Sequence, residues 1–204
     1  MPTLVADSSC VIDLHKVGLL LPLFELPYAI VMPQSLLDDE LIRLTADEKR
    51  KMIDRGLRTR PLDSAGLVQA ERYFSLYPAL AWNDCLALRM AEEIEAAILL
   101  TGDSRLRRIA MEKAIDVHGV VWVLDEMQRL AVVEPARLAG AIQALIDDPL
   151  VFLPDRALRQ RLRAHVRRFQ RAVLVIREQR PAKRGLAGLP RPHDRDHRVL
   201  TGGC

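Results

Sequence analysis

Residues 98–106, Ile98-Leu99-Leu100-Thr101-Gly102-Asp103-Ser104-Arg105-Leu106, decide the fold. Three consecutive apolar residues read as a brief strand buried on both faces. They end in a turn carrying an acid, and a helical pattern follows over 104–115. The N-terminus repeats the arrangement: Leu4-Val5-Ala6-Asp7-Ser8-Ser9, then a helical pattern over 10–20. Ala29-Ile30-Val31-Met32 and Val120-Val121-Trp122-Val123-Leu124 are further apolar runs read as strands. Helical patterns occupy 34–45, 64–76, 84–96, 125–131 and 135–147. Short, wholly apolar strands separated by helices predict a parallel sheet covered on both faces. The expected fold is α/β: a three-layer α/β/α sandwich with a central, mainly parallel sheet over residues 1–150.

The rest of the 204-residue chain differs in charge. Residues 1–154 carry 16 Lys and Arg against 23 Asp and Glu, a net −7, whereas residues 155–204 carry 14 against 4, a net +10. Residues 151–180 read as a basic amphipathic helical extension, with Leu158, Leu162, Val166, Phe169, Val173 and Ile176 on one stripe and arginines opposite. Pro181, Pro190, Pro192 and scattered charges then predict a disordered tail over 181–204. The basic arm suits RNA phosphates, an acidic partner or the acidic body of the chain, with its stripe packed on the domain or on a second copy.

Composition excludes several classes. Cys10, Cys85 and Cys204 are too widely spaced for a zinc site and form no disulfide framework. The N-terminus lacks the features of a secretory signal, and no run approaches the roughly 18 apolar residues of a membrane span, so a soluble, cytoplasmic protein is expected with no membrane partner. No GxxxxGK[ST], GxSxG or HExxH motif occurs. Asp7 begins neither a DxDx phosphatase motif nor a DxSxS adhesion site, because Ser8, Ser9 and Val11 occupy the deciding positions.

What remains is the placement of acids. In an open parallel sheet, chemistry gathers beyond the carboxyl ends of the strands. Asp7 ends the first apolar run and Asp103 follows another, so both are expected on one rim; either would also serve as a helix N-cap. Glu40 is harder to explain structurally. At about 100° per residue it falls roughly 40° from Leu36, inside the stripe formed by Leu36, Leu37, Leu41 and Leu44, while Asp38 and Asp39 fall outside it. A carboxylate on a buried stripe is costly unless it meets a cation or lines a cleft. Asp84, after Asn83, opens another helix, where it either complements the dipole or points across the rim. Four converging acids repel one another unless a cation sits among them, and all-oxygen donors favour Mg²⁺ or Mn²⁺.

These fragments, in this order, resemble the PIN-domain ribonucleases, in particular the VapC-type toxins of bacterial toxin–antitoxin pairs. The resemblance covers about residues 3–130: Leu4 to Ser9, Glu40-Leu41 after Val31-Met32-Pro33, Asn83-Asp84 opening an alanine-rich helix, and Leu100 to Leu106. It implies a metal-dependent endoribonuclease that leaves a 5′-phosphate and a 3′-hydroxyl. Asp7, Glu40, Asp84 and Asp103 become the catalytic and metal-binding set, with Ser8 and Thr101 as hydroxyl neighbours that orient the carboxylates. It further implies a homodimer and, for toxin members, inhibition by a small antitoxin protein. Arg105, Arg107 and Arg108 are placed to contact RNA phosphates, or form an exposed helix face. His15, His118, Trp82 and Trp122 read as packing or surface residues. Two alternatives stay open: a non-catalytic nucleic-acid-binding module acting through the basic arm, and a nuclease for structured DNA.

Overall fold

A computed structural model describes residues 1–149, 159–161 and 163. Five parallel strands form one sheet: β1 (Thr3–Ala6), β2 (Ala29–Pro33), β3 (Arg58–Arg60), β4 (Ile98–Leu100) and β5 (Asp116–His118), in the order β3-β2-β1-β4-β5. Leu4, Val5 and Ala6 of central β1 are fully buried. They pair with Ile30 and Val31 on one side and with Ile98, Leu99 and Leu100 on the other. The helices are α1 (Ser8–Lys16), α2 (Leu20–Leu23), α3 (Ala46–Asp54), α4 (Ser64–Leu76), α5 (Trp82–Glu93), α6 (Ser104–Glu112), α7 (Val120–Arg129) and α8 (Pro135–Asp147). The architecture is the expected α/β sandwich.

Strand order places the site. From β1 the chain steps outward through β2 to β3, then crosses back over β1 to β4 and β5. Right-handed crossovers running in opposite directions put their helices on opposite faces. Accordingly α5 packs on β1, β2 and β4 with α4 and α6 against it, while α7 meets α1, α2 and α8. The order reverses between β1 and β4, the switch point at which open α/β sheets bind their ligands, beyond the carboxyl ends of the two strands. Asp7 and Thr101 stand at those two ends.

Three expectations are corrected. Val120–Leu124, read as a strand, is the first half of α7. Val120, Val123, Leu124 and Met127 are its buried residues, an i, i+3, i+4, i+7 stripe that the unbroken apolar run concealed. The last strand is instead Asp116–His118, which, like Arg58–Arg60, is a three-residue edge strand without an apolar run. Finally, the helix expected over 34–45 is shortened to 34–40, its last five residues, Leu36–Glu40, forming a π turn, after which Thr45 caps α3 through reciprocal bonds with Glu48.

The extension expected over 151–180 and the tail over 181–204 lie outside the described residues, apart from the helical positions 159–161 and 163. There the Arg161 guanidinium grips both carboxylate oxygens of Asp125 on α7 at 2.7–3.0 Å. Among the described residues no helix is long and apolar enough to cross a membrane.

Candidate active site at the strand switch point

Asp7 sits between β1 and α1 and is only 2% exposed. As N-cap of α1 its Oδ1 accepts the Ser8 amide at 2.8 Å. Its Oδ2 accepts two hydroxyls, Ser9 Oγ at 2.5 Å and Thr101 Oγ1 at 2.8 Å. Each hydroxyl in turn accepts a backbone amide from the loop after β4: Gly102 N–H to Ser9 at 2.8 Å and Asp103 N–H to Thr101 at 3.0 Å. With an amide on its lone pairs, each hydroxyl has its proton directed at Asp7. The serine hydroxyl on Asp7 is therefore that of Ser9, not Ser8, whose contribution is its backbone N–H. Asp-Ser-Ser leaves the two serines equivalent until the first helical turn is built, and only the second lies under the Gly102 amide.

Burial pushes the Asp7 carboxyl above its usual range; the Ser9 and Thr101 donors oppose this, and the charge of Glu40 adds to it. Asp84, in the first turn of α5, is pushed up to about 6. Burial is the main cause; the Ala81 amide, 2.8 Å from Oδ2, works against it, and the charges of Asp7, Asp103 and Glu40 add to it. Asp84 thus feels all three other acids, which places the four in one electrostatic neighbourhood.

Asp103 caps α6, its Oδ1 accepting the Arg105 and Leu106 amides at 2.6 and 3.1 Å and its Oδ2 the Arg105 guanidinium at 3.2 Å. Partial burial pushes its carboxyl up, but these amides and the guanidinium outweigh it and hold the group below its usual range. Glu40 ends the π turn, half-buried, with Oε1 accepting the Asn83 side-chain amide at 2.7 Å. Because the turn is π rather than α, Glu40 does not take the α-helical stripe position expected over 34–45 and stands instead at the end of the wider turn. Asp38 and Asp39 are exposed.

The arginines of α6 divide. Arg105 and Arg108 are exposed. Arg107, read as contacting RNA phosphates or as part of an exposed helix face, straps strand ends together, donating to Thr101 O at 2.7 Å and Val117 O at 3.3 Å. Of the aromatic residues read as packing, Trp122 stacks on His118 with ring centroids 4.3 Å apart, whereas Trp82 is 39% exposed at the start of α5, edge-on to Phe74.

The donor set suits a hard divalent cation. It is all carboxylate oxygen, the acids repel one another, and Glu40 Oε2 and Asp84 Oδ1 accept no hydrogen bond from the described residues. Among the described residues no three Asp, Glu, His or Cys side chains are already gathered as a cation cluster. Asp84 and Asp103 are turned partly onto backbone amides of their own helix starts.

Compared with known proteins, residues 3–166 match the family described as a PIN domain. No curated protein and no solved structure matches the chain.

Proposed function

The chain belongs to the PIN-domain family, and from that premise we propose that it is a metal-dependent endoribonuclease whose working acids are Asp7, Glu40, Asp84 and Asp103. The observation that carries this reading is the Asp84 carboxyl at the start of α5, lifted to about 6 by burial and by the charges of Asp7, Asp103 and Glu40 against the opposing Ala81 amide. Repulsion of this kind at a strand switch point is what a carboxylate metal site costs in the metal-free protein. Bound Mg²⁺ or Mn²⁺ would supply charge neutralisation and a water acidic enough to attack a phosphodiester.

The chain's own residues do the rest. Ser9 and Thr101 favour the anionic form of Asp7 against its burial and fix its direction, and the Gly102 and Asp103 amides hold the β4 loop onto those two hydroxyls. Arg105 and Arg108, exposed at the start of α6, suit the phosphates of the RNA strand. The VapC-like resemblance extends the proposal to a homodimer and a small antitoxin partner that occupies the site.

The test is cleavage of end-labelled single-stranded RNA with Mn²⁺, with EDTA, and by Asp7→Asn, Asp103→Asn and Asp38→Asn. Cleavage is expected to need metal, Asp7 and Asp103 and to survive loss of Asp38. Metal-independent, salt-sensitive binding without cutting would favour a non-catalytic binding module. Cutting of structured DNA in preference to RNA would change the substrate.

A further inference from the structure

Asp7, Asp84 and Asp103 each accept a backbone amide at a helix start, whereas Glu40 stands at the end of the π turn, so something else must hold it. The π turn that carries it closes with the Leu41 amide on Leu36 O at 3.2 Å, and Lys49 Nζ donates to Leu37 O. Asn83, in the first turn of α5, touches both ends of this turn. Its Nδ2 donates to Glu40 Oε1 at 2.7 Å at the last position, and its Oδ1 accepts Ser35 Oγ at 3.2 Å just before the first. The two bonds fix the amide's orientation, because a carboxylate only accepts and so requires the NH₂ end, leaving the carbonyl for the serine hydroxyl. Asn83 is also the immediate neighbour of Asp84. One side chain therefore braces the turn, directs the Glu40 carboxylate and ties it to the helix start that bears the next acid.

We propose that Asn83, itself oriented by Ser35, is a positioning residue that clamps the ends of the π turn and sets the Glu40 carboxylate for cation binding beside Asp84. The inference rests on the metal-site reading above. With Oε1 engaged by the amide, Oε2 is the oxygen left for a cation. Outer partners of ligating carboxylates typically affect metal affinity by about 10–100-fold. Without the Ser35 bond the amide can turn its carbonyl towards Glu40 and repel it, so loss of Ser35 acts in the same direction and more weakly.

The test is Mn²⁺ binding to the full chain by calorimetry and electron paramagnetic resonance, with thermal melts confirming folding. Asn83→Leu is expected to weaken Mn²⁺ binding about tenfold or more in the otherwise unchanged protein and to have little effect in a Glu40→Gln background. Ser35→Ala should weaken it less, and add nothing to Asn83→Leu, because it acts through the same amide. If Asn83→Leu does not fold, Ser35→Ala alone and in the Glu40→Gln background carries the test. Affinity unchanged by either substitution, or equal losses with and without Glu40, would overturn the clamp while leaving the metal site standing. Absence of Mn²⁺ binding by the unsubstituted chain would overturn both, and cleavage that persists in EDTA would identify the failure as that of the metal reading.

Discussion

The Thr101 hydroxyl donates to Asp7 Oδ2 at 2.8 Å while accepting the Asp103 amide at 3.0 Å, so one side chain links a buried acid to the loop bearing another. Thr101 is itself fully buried. Thr101→Val keeps the shape and removes the hydroxyl, leaving an Asp7 oxygen and a backbone amide short of a partner. The expected cost is about 1–3 kcal/mol of stability, together with a loss of metal affinity of roughly tenfold or more. Thr101→Ser should restore most of both. Denaturant melts and Mn²⁺ titration of the two variants check this, and a Val variant equal to the Ser variant in both would refute the linkage.

The raised Asp84 carboxyl makes a signed pH prediction. Its folded value of about 6 exceeds the ordinary 3.8, so between these values the folded chain binds more protons than the unfolded one, and stability falls as pH rises. Asp7 is shifted in the same sense. Glu48, lowered to about 2 by His15 and Thr45, acts oppositely, but only as pH drops below its ordinary 4.5. In EDTA the protein should therefore melt higher at pH 5 than at pH 7.5. Asp84→Asn should reduce that difference, leaving the part due to Asp7, and stabilise the metal-free protein at pH 7.5 by about 1 kcal/mol, allowing for its partial exposure. Saturating Mg²⁺ should remove the decline in the unsubstituted chain, since binding to the folded state offsets the repulsion. A metal-free melting temperature that rises from pH 5 to 7.5 contradicts this account.

Arg107 and Arg108 are adjacent in sequence and opposite in role. Arg107 spends its guanidinium on the carbonyls of Thr101 and Val117. Gly119 makes room for it, since a Cβ there would lie 2.7 Å from Arg107 Nη2. Arg107→Ala is expected to cost about 1.5–3 kcal/mol, and Gly119→Ala a smaller amount by displacing the same group. Arg108→Ala should leave the melting temperature unchanged and act only on RNA binding, lowering its salt dependence. Chemical denaturation beside filter binding at several salt concentrations separates the two. Equal destabilisation by Arg107→Ala and Arg108→Ala would contradict the assignment.

The sequence made the centre of the sheet legible and the edges obscure. Leu4–Ala6, Ala29–Met32 and Ile98–Leu100 belong to strands buried on both faces, where burial demands unbroken apolar runs. Arg58-Thr59-Arg60 and Asp116-Val117-His118 are edge strands whose exposure removes that demand. Val120–Leu124 misled because five apolar residues satisfy a helix stripe as well as a strand. At the site, Asp7, Asp84 and Asp103 were readable because each stands at a helix start, where sequence punctuation is strong. Asn83, Ser9 and Ser35 were not, because hydrogen bonds across 43, 48 and 93 residues leave no local pattern.

Arg105 allows a last prediction, in which two readings of one residue diverge in sign. Its guanidinium lies 3.2 Å from Asp103 Oδ2, while the cap of α6 rests on the Arg105 and Leu106 amides. Arg105→Ala therefore removes a charge without removing the cap, and the fold should be unaffected. The site becomes one unit more negative. An exposed pair of this kind is worth about 0.2–1 kcal/mol, so Mn²⁺ should bind about 1.5–5-fold more tightly, the more so at low ionic strength. RNA binding should weaken, because a phosphate-facing cation is gone. Tighter metal with weaker RNA is the expected signature, read by Mn²⁺ titration and RNA binding on the same preparation. Unchanged Mn²⁺ affinity would remove Asp103 from the cation site, and unchanged RNA binding would leave Arg105 as a counter-charge alone.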